Sequence, residues 1–249
     1  MSNRKLTIDQ IYSKRSDLST FLVHLTRDHE DGTSAKTSLE EILNSKRLIA
    51  KSPSSLFSVL LQNNENFNGE ESRENFESFL KCICFTETPL DQIKNFIGVN
   101  LARGDIKELI YSEYGLVYTQ EFVLRNRGNP CFYVATHGNN YLKKSFLNLF
   151  GRNEWHQFFN NSSPDSSLNI LPFVNIFGKD GKGDPIDYYW EREWRIPSSE
   201  VKFEEKDIIF GMCPETEIED YSKKFPAIKF ISVHWSLNKI IDSITHSHD

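Results

Sequence analysis

The chain has 249 residues, of which 38% are hydrophobic and 26% are charged, and this composition is typical of a folded globular protein rather than a disordered one. The net charge of −6 argues against a general nucleic-acid binder, because such proteins carry a basic surface that neutralises phosphate groups. No apolar run approaches the roughly 20 residues of a membrane-spanning helix, and the amino terminus is polar, so we expect a cytoplasmic protein without membrane contact.

The first predicted elements are a strand, a helix and a second strand. Phe21–Thr26 is a short run of strand-forming residues. Ser38-Leu39-Glu40-Glu41 has the pattern of a capping box and predicts a helix that runs to about Lys46. Lys81–Thr86 is the second strand, and it contains Cys82 and Cys84. Because a Cys-x-Cys pair with no second pair nearby is weak evidence for zinc, we expect buried free thiols, no disulfide and no metal.

A second helix is predicted directly after this strand, with Thr88 as its cap and Pro89 in its first turn. Two strand pieces follow at Tyr114–Tyr118 and Phe122–Leu124. The other predicted elements are a helix at Asn140–Gly151 and strands at Cys131–Val134, Leu171–Phe177, Glu193–Ile196, Asp207–Phe210 and Ile228–Val233. Strands and helices do not alternate strictly, so the sequence predicts a single α+β domain over residues 1–249, with polar insertions near 62–77 and 160–168.

The segment Tyr188–Pro197 holds four aromatic and four charged residues within ten positions. In an extended strand, Glu191, Glu193 and Arg195 would lie on one face, and Trp190, Trp194 and Ile196 on the other. Two interpretations are open. The segment is either an edge strand with a solvated charged face, or a strand that is anchored by aromatic residues and presents two carboxylates for chemistry.

The segment contains the pattern aromatic-x-x-Glu-x-Glu, formed by Tyr188, Glu191 and Glu193. Ile196 and Pro197 follow this pattern. Together these residues resemble the catalytic loop of ADP-ribosyltransferases. The resemblance implies a split β-sheet core with flanking helices and NAD as a substrate. It implies that Glu193 stabilises the charge that develops on the ribose as nicotinamide leaves. It further implies that Glu191 positions or deprotonates the acceptor, and that Tyr188 contacts it.

The strand–helix opening near the amino terminus also resembles that fold, in which the first strand holds a His or Arg that binds NAD. Here the resemblance implies His24 and Thr26, with Arg27 at the end of the strand. Cys84-Phe85-Thr86 is similar to the central strand that walls the nicotinamide pocket. This similarity implies cofactor contacts by Phe85 and Thr86, and it leaves Phe85, Phe96 and Tyr114 open as the aromatic residue that stacks on the nicotinamide ring.

The order and spacing of these segments along the chain, followed by Ile208–Gly211, also resemble those of bacterial abortive-infection domains of the AbiG type. That family is described as a component of phage defence, in some cases as the antitoxin partner. The resemblance implies a defence or toxin–antitoxin setting, with a protein or nucleic-acid acceptor and a toxin or antitoxin partner. Two other functions stay open: a non-catalytic module that binds a protein partner, and a nucleotide- or RNA-binding regulator without turnover.

Overall fold

The structure is a computed structural model that describes residues 19–50, 78–95, 97–99, 110–135, 141–142, 145, 167–179, 185–186 and 189–245. The insertion expected near 62–77 and most of the one expected near 160–168 lie outside these residues. So does most of the predicted helix Asn140–Gly151.

A seven-stranded sheet forms the centre of the molecule, in the order β12-β11-β4-β1-β3-β9-β5. Neighbouring strands are antiparallel, except that β11 and β12 are parallel. The strands of this sheet are β1 (Phe21–Leu25), β3 (Ile83–Thr86), β4 (Gly115–Thr119), β5 (Asn129–Pro130), β9 (Glu193–Ile196), β11 (Ile208–Met212) and β12 (Phe230–Ile231).

Two smaller sheets and five α-helices complete the described part of the chain. One small sheet pairs β2 (Arg47–Ile49) with β10 (Glu200–Lys202), and the other joins β6 (Phe132–Ala135), β7 (Val174–Lys179) and β8 (Pro185–Ile186). The helices are α1 (Ala35–Ser45), α2 (Leu90–Ile93), α3 (Gln120–Arg125), α4 (Ile218–Lys224) and α5 (Leu237–Thr245). The mixed α+β class is therefore confirmed. Within the described ranges, none of the helices combines the length and the apolar character needed to cross a bilayer.

Both faces of the central sheet are buried, and alternate residues along a strand belong to different hydrophobic clusters. Leu22 of β1 packs in one cluster with α1, α3 and α4, whereas Val23 packs in the other with α2 and α5. Burial on both sides explains why the strands are apolar without the polar alternation of a half-solvated sheet. We call the first cluster the α1 face and the second the α5 face.

Three predicted local features are wrong. The cap of α1 is Ser34, whose hydroxyl accepts from the backbone N–H of Thr37, so the helix begins before the expected capping box at Ser38. Thr88 does not cap α2, where Pro89 occupies the cap position. The strand expected at Phe122–Leu124 is the short helix α3, because the Thr119 hydroxyl accepts from the N–H of Phe122 and starts a helical turn.

The contact between β1 and β3 is short. Its register contains one residue pair, Val23 with Thr86, whereas β1 and β4 are paired along their full length. The next residue of β1, His24, contacts β3 through its side chain. Its Nδ1 atom lies 2.8 Å from the backbone carbonyl of Cys84. A carbonyl oxygen only accepts, so Nδ1 carries the hydrogen.

Candidate functional site

The charged segment does not run as one strand. Tyr189–Glu191 forms a turn of 3₁₀ helix, and Arg192 has a φ of 48°, in the left-handed region, before β9 begins. The expected alternation is therefore wrong for Trp190 and Glu191, and it holds only from Glu193 onward. Trp190 packs on the α5 face, while Trp194 packs on the α1 face with Ile196.

The end of β3 holds this turn in place. The Thr86 hydroxyl donates to the backbone carbonyl of Glu191, and the backbone N–H of Glu87 donates to the carbonyl of Arg192 at 3.3 Å. The Glu87 carboxylate accepts from the Trp194 indole at 3.1 Å and lies 3.5 Å from the Arg192 guanidinium. Left-handed backbone at a residue other than glycine costs about 1–2 kcal/mol, and these contacts offset that cost.

Glu193 and Arg195 form a bidentate ion pair inside the protein. Nε and Nη2 of Arg195 donate to the two carboxylate oxygens of Glu193, both at 2.8 Å. One of these oxygens also accepts from the Asn175 side chain at 3.1 Å. Arg195 is only 1% exposed, and its Nη1 donates to the carbonyl of Pro172 at 2.9 Å. The Glu193 carboxylate is thus oriented and its charge is balanced by Arg195.

Glu191 lies in a different environment, although it is only two residues away. Its side chain is 8% exposed, and among the described residues its Oε1 atom has no hydrogen-bond partner. Burial, and then repulsion by Glu193, raises the pKa of Glu191 to about 8, against the opposing effects of Arg195, Arg27 and a hydrogen bond from Tyr111. A buried carboxyl group with a pKa near neutral is suited to accept and return a proton.

Tyr111 connects Glu191 to a cleft of about 770 Å³. Among the described residues, the cleft is also lined by Asp28, His29, Glu30 and Glu113, so carboxyl groups outnumber basic groups in this part of its wall, and we call it the acidic cleft. Burial raises the pKa of the Tyr111 phenol well above its usual value, and Glu191 and Glu193 raise it further. The phenol therefore stays protonated, and its hydroxyl donates a hydrogen bond to the Glu191 carboxylate.

His24 lies on the other face of the sheet from Glu193. Val23 pairs with Thr86, and Thr86 pairs with Glu193, so these three side chains share a face. His24 is the next residue of β1 and points to the α1 face, where its ring centroid is 5.6 Å from that of Phe85. Burial lowers the pKa of His24, so the imidazole stays neutral. The resemblance to ADP-ribosyltransferases implies that His24 and Glu193 both act on NAD, but the two side chains do not line one pocket.

Two other residues that were predicted to contact NAD instead make contacts within the protein. The Thr26 hydroxyl lies 2.9 Å from the carbonyl of Ala35 and 3.1 Å from that of Tyr114, and the residue is buried. Phe85 packs edge-on against Tyr118 in the core of the α1 face, so it is not available to stack on a nicotinamide ring.

Of the other two aromatic candidates, Tyr114 donates its hydroxyl to Glu217 at 3.0 Å, and Phe96 lies outside the described residues. Tyr188 lies outside them as well. The structure therefore brings together Glu191, Glu193, Thr86 and Arg27, and leaves His24, Thr26 and Phe85 apart from them.

The sequence interpretation missed Tyr111, Tyr133 and Asn175. Asn175 donates to Glu193, and the Tyr133 hydroxyl accepts from the Glu193 backbone N–H at 3.2 Å. Each reaches the site from a distant part of the chain, and no local spacing relates it to Glu191. Asn175 could have been noticed in the sequence, because it is a polar residue inside the predicted apolar strand Leu171–Phe177.

Metal and thiol chemistry have little support in the described residues. No group of three or more potential metal ligands occurs among them. Cys82 and Cys84 are free thiols, as are Cys131 and Cys213. Burial raises the pKa of Cys82 to about 12, so this thiol is not a ready nucleophile.

Comparison of the chain with family models, with curated proteins and with solved structures finds no match. The site itself consists of the buried Glu191 with its raised pKa, the Glu193–Arg195 ion pair beside it, and Tyr111, which hydrogen-bonds Glu191 and lines the cleft.

Proposed function

We propose that the chain cleaves NAD at the nicotinamide ribose bond and transfers ADP-ribose to a macromolecule or to water, in a phage-defence or toxin–antitoxin setting. The observation that carries the proposal is the state of Glu191, a buried carboxyl group with a pKa of about 8 and an oxygen without a partner among the described residues. Carboxyl groups perturbed in this way, next to a cleft, are typical of enzyme active sites.

Glu191 is the reacting carboxylate in this proposal. The resemblance to ADP-ribosyltransferases favours Glu193, but both oxygens of Glu193 already accept from Arg195. Once ionised, Glu191 stabilises the positive charge on the ribose as nicotinamide leaves, and it accepts the proton of the incoming nucleophile. The Glu193–Arg195 pair keeps the segment in place.

Arg27 replaces His24 as the residue that binds NAD. Its charge acts on Glu191 and on Tyr111, whereas His24 faces the opposite side of the sheet. A guanidinium is well suited to the pyrophosphate of a dinucleotide, because its planar donors match phosphate oxygens.

The test measures nicotinamide release from NAD by wild type and by Glu191→Gln. We expect the variant to lose roughly 100-fold or more in rate, the usual scale of general acid–base catalysis. The wild-type kcat/KM should also rise with pH up to about 8, since ionised Glu191 is the active form. Glu200→Gln is the matched control, because Glu200 pairs with Arg47 at the surface. A wild-type protein that releases no nicotinamide and shows no calorimetric NAD binding would remove the proposal.

A second candidate is a non-catalytic module that binds a toxin or antitoxin. It is favoured because both carboxylate oxygens of Glu193 accept hydrogen bonds inside the protein. It is also favoured by Tyr189, which is 65% exposed and packs edge-on against Tyr133, with 5.2 Å between the ring centroids. Exposed tyrosines frequently dominate protein interfaces. The test is co-purification with the product of a neighbouring gene, which Tyr189→Ala should abolish. NAD binding without turnover would instead favour a regulator.

A further inference from the structure

Tyr111 lies where the acidic cleft meets the buried carboxyl of Glu191. Its backbone is fixed by a hydrogen bond from the Gly98 N–H to the Tyr111 carbonyl at 2.9 Å, and the next residue, Ser112, donates to the Thr26 carbonyl at 3.2 Å. Its ring packs on the α5 face. The side chain therefore has a defined position between the cleft and Glu191.

The charged and titratable groups around Glu191 come from several elements. β9 contributes Glu193 and Arg195, the end of β1 contributes Arg27, and Tyr133 of β6 is also close enough to interact with Glu191. Tyr111 also acts on Glu191, and of these five residues it is the one that lines the cleft. Its side chain therefore offers a path for a proton between the cleft and Glu191.

We propose that Tyr111 relays a proton from a nucleophile bound in the cleft to the Glu191 carboxylate. The phenolic proton moves to Oε2 of Glu191 while the phenolic oxygen takes the proton of the nucleophile. Tyr111 ends neutral, Glu191 ends as the carboxylic acid, and the oxygen or nitrogen of the nucleophile keeps the electron pair that forms the new bond. This inference rests on the proposed function, because it names the place where the acceptor of ADP-ribose binds.

The lining of the cleft indicates the chemistry of the acceptor. Among the described lining residues, Asp28, Glu30 and Glu113 carry carboxyl groups and His29 carries an imidazole, and the Asp28 carboxylate accepts from the backbone N–H of Ala35 at 2.8 Å. A cationic amine or a neutral hydroxyl group fits this lining, whereas the anionic pyrophosphate of NAD does not. The cleft thus takes the acceptor, and NAD lies on the side of Arg27.

The experiment compares Tyr111→Phe with Tyr114→Phe. Tyr114 is a matched control because its hydroxyl also donates to a glutamate, Glu217, at a place away from Glu191. The titration of Glu191 is followed by ¹³C NMR of the glutamate side chains, with Glu191→Gln to assign its signal. We expect the midpoint in Tyr111→Phe to rise by about one pH unit, because a donor to the carboxylate is lost. An unchanged midpoint would overturn the proposal.

A second readout separates a relay from a purely structural role. Tyr111→Phe should lose nicotinamide release by roughly 100-fold, and hydroxylamine should restore it, since this neutral nucleophile attacks through its nitrogen lone pair before it loses a proton. A loss that hydroxylamine does not reverse contradicts the relay. If wild type releases no nicotinamide at all, the proposed function fails, and the NMR titration alone decides whether Tyr111 and Glu191 are linked.

Discussion

Glu191 couples the stability of the fold to pH. Its pKa is about 8 in the folded protein and about 4.5 in an unfolded chain. Between these values the folded state keeps the proton that the unfolded state has lost. Stability therefore falls as pH rises through this window, by at most about 1.4 kcal/mol per pH unit. Below the lower value both states are protonated, and the contribution of Glu191 is constant.

Glu191→Gln should remove this slope, because glutamine is neutral at every pH. We expect the variant to be more stable than wild type near neutral pH and equally stable near pH 4 (about the unfolded pKa). Urea unfolding at several pH values measures the difference, with the surface variant Glu200→Gln as control. A wild-type slope retained in Glu191→Gln would show that another group titrates.

Sequence patterns predicted the two carboxylates but not their separate roles. Glu191 and Glu193 stand two positions apart in the sequence, yet Glu193 forms a buried ion pair, whereas one oxygen of Glu191 has no hydrogen-bond partner in the described part of the chain. This difference depends on Arg195, whose position opposite Cys84 is set by strand register, and on Tyr111, which is far away in sequence. The resemblance placed His24 and Glu193 at one NAD site, although their side chains lie on opposite faces, because the register between β1 and β3 cannot be deduced from either strand alone.

At the scale of elements, the turn before β9 decides which way Glu191 points. The period-two pattern of Trp190, Trp194 and Ile196 predicted a continuous strand. The left-handed Arg192 breaks that alternation, and arginine gives no signal for such a conformation. The strand Glu193–Ile196 was predicted correctly, since its apolar residues do alternate over the α1 face.

Arg192 offers a test of the strain in this turn. Arg192→Gly and Arg192→Ala both lose the contact with Glu87, but glycine adopts a positive φ without a steric cost. We expect Arg192→Gly to be the more stable of the two by about 0.5–1 kcal/mol in chemical denaturation. At Lys202, an exposed residue of β10, the order of the glycine and alanine variants should reverse. The same order at both positions would contradict the role of the turn.

At the scale of the whole molecule, Arg195 joins the central sheet to the small sheet of β6, β7 and β8. The guanidinium donates to the carbonyl of Pro172, in the 3₁₀ helix just before β7, and to that of Val174, the first residue of β7. It also donates to Glu193 in its own strand. The mixed α+β class was predictable from the sequence. The buried connection was not, because Arg195 was assigned to a charged face that could equally be solvated.

Arg195→Met should loosen this connection. Removing one partner of a buried ion pair leaves the other uncompensated and costs about 3–5 kcal/mol. We expect faster hydrogen exchange in Val174–Lys179 than in β1 and β4, together with lower global stability. Arg47→Met, which breaks a surface pair with Glu200, should cost less than about 1 kcal/mol. Equal exchange in both groups of strands would show that Arg195 does not join them.

Both borders of the central sheet are short. β12 and β5 contain two residues each, and one residue of β5 is Pro130, which has no N–H to offer. Such short edge strands offer another polypeptide chain few main-chain groups for hydrogen bonding, which protects the sheet against edge-to-edge aggregation. A protein partner that approaches either edge of the central sheet would therefore contact side chains rather than extend this sheet with a strand of its own.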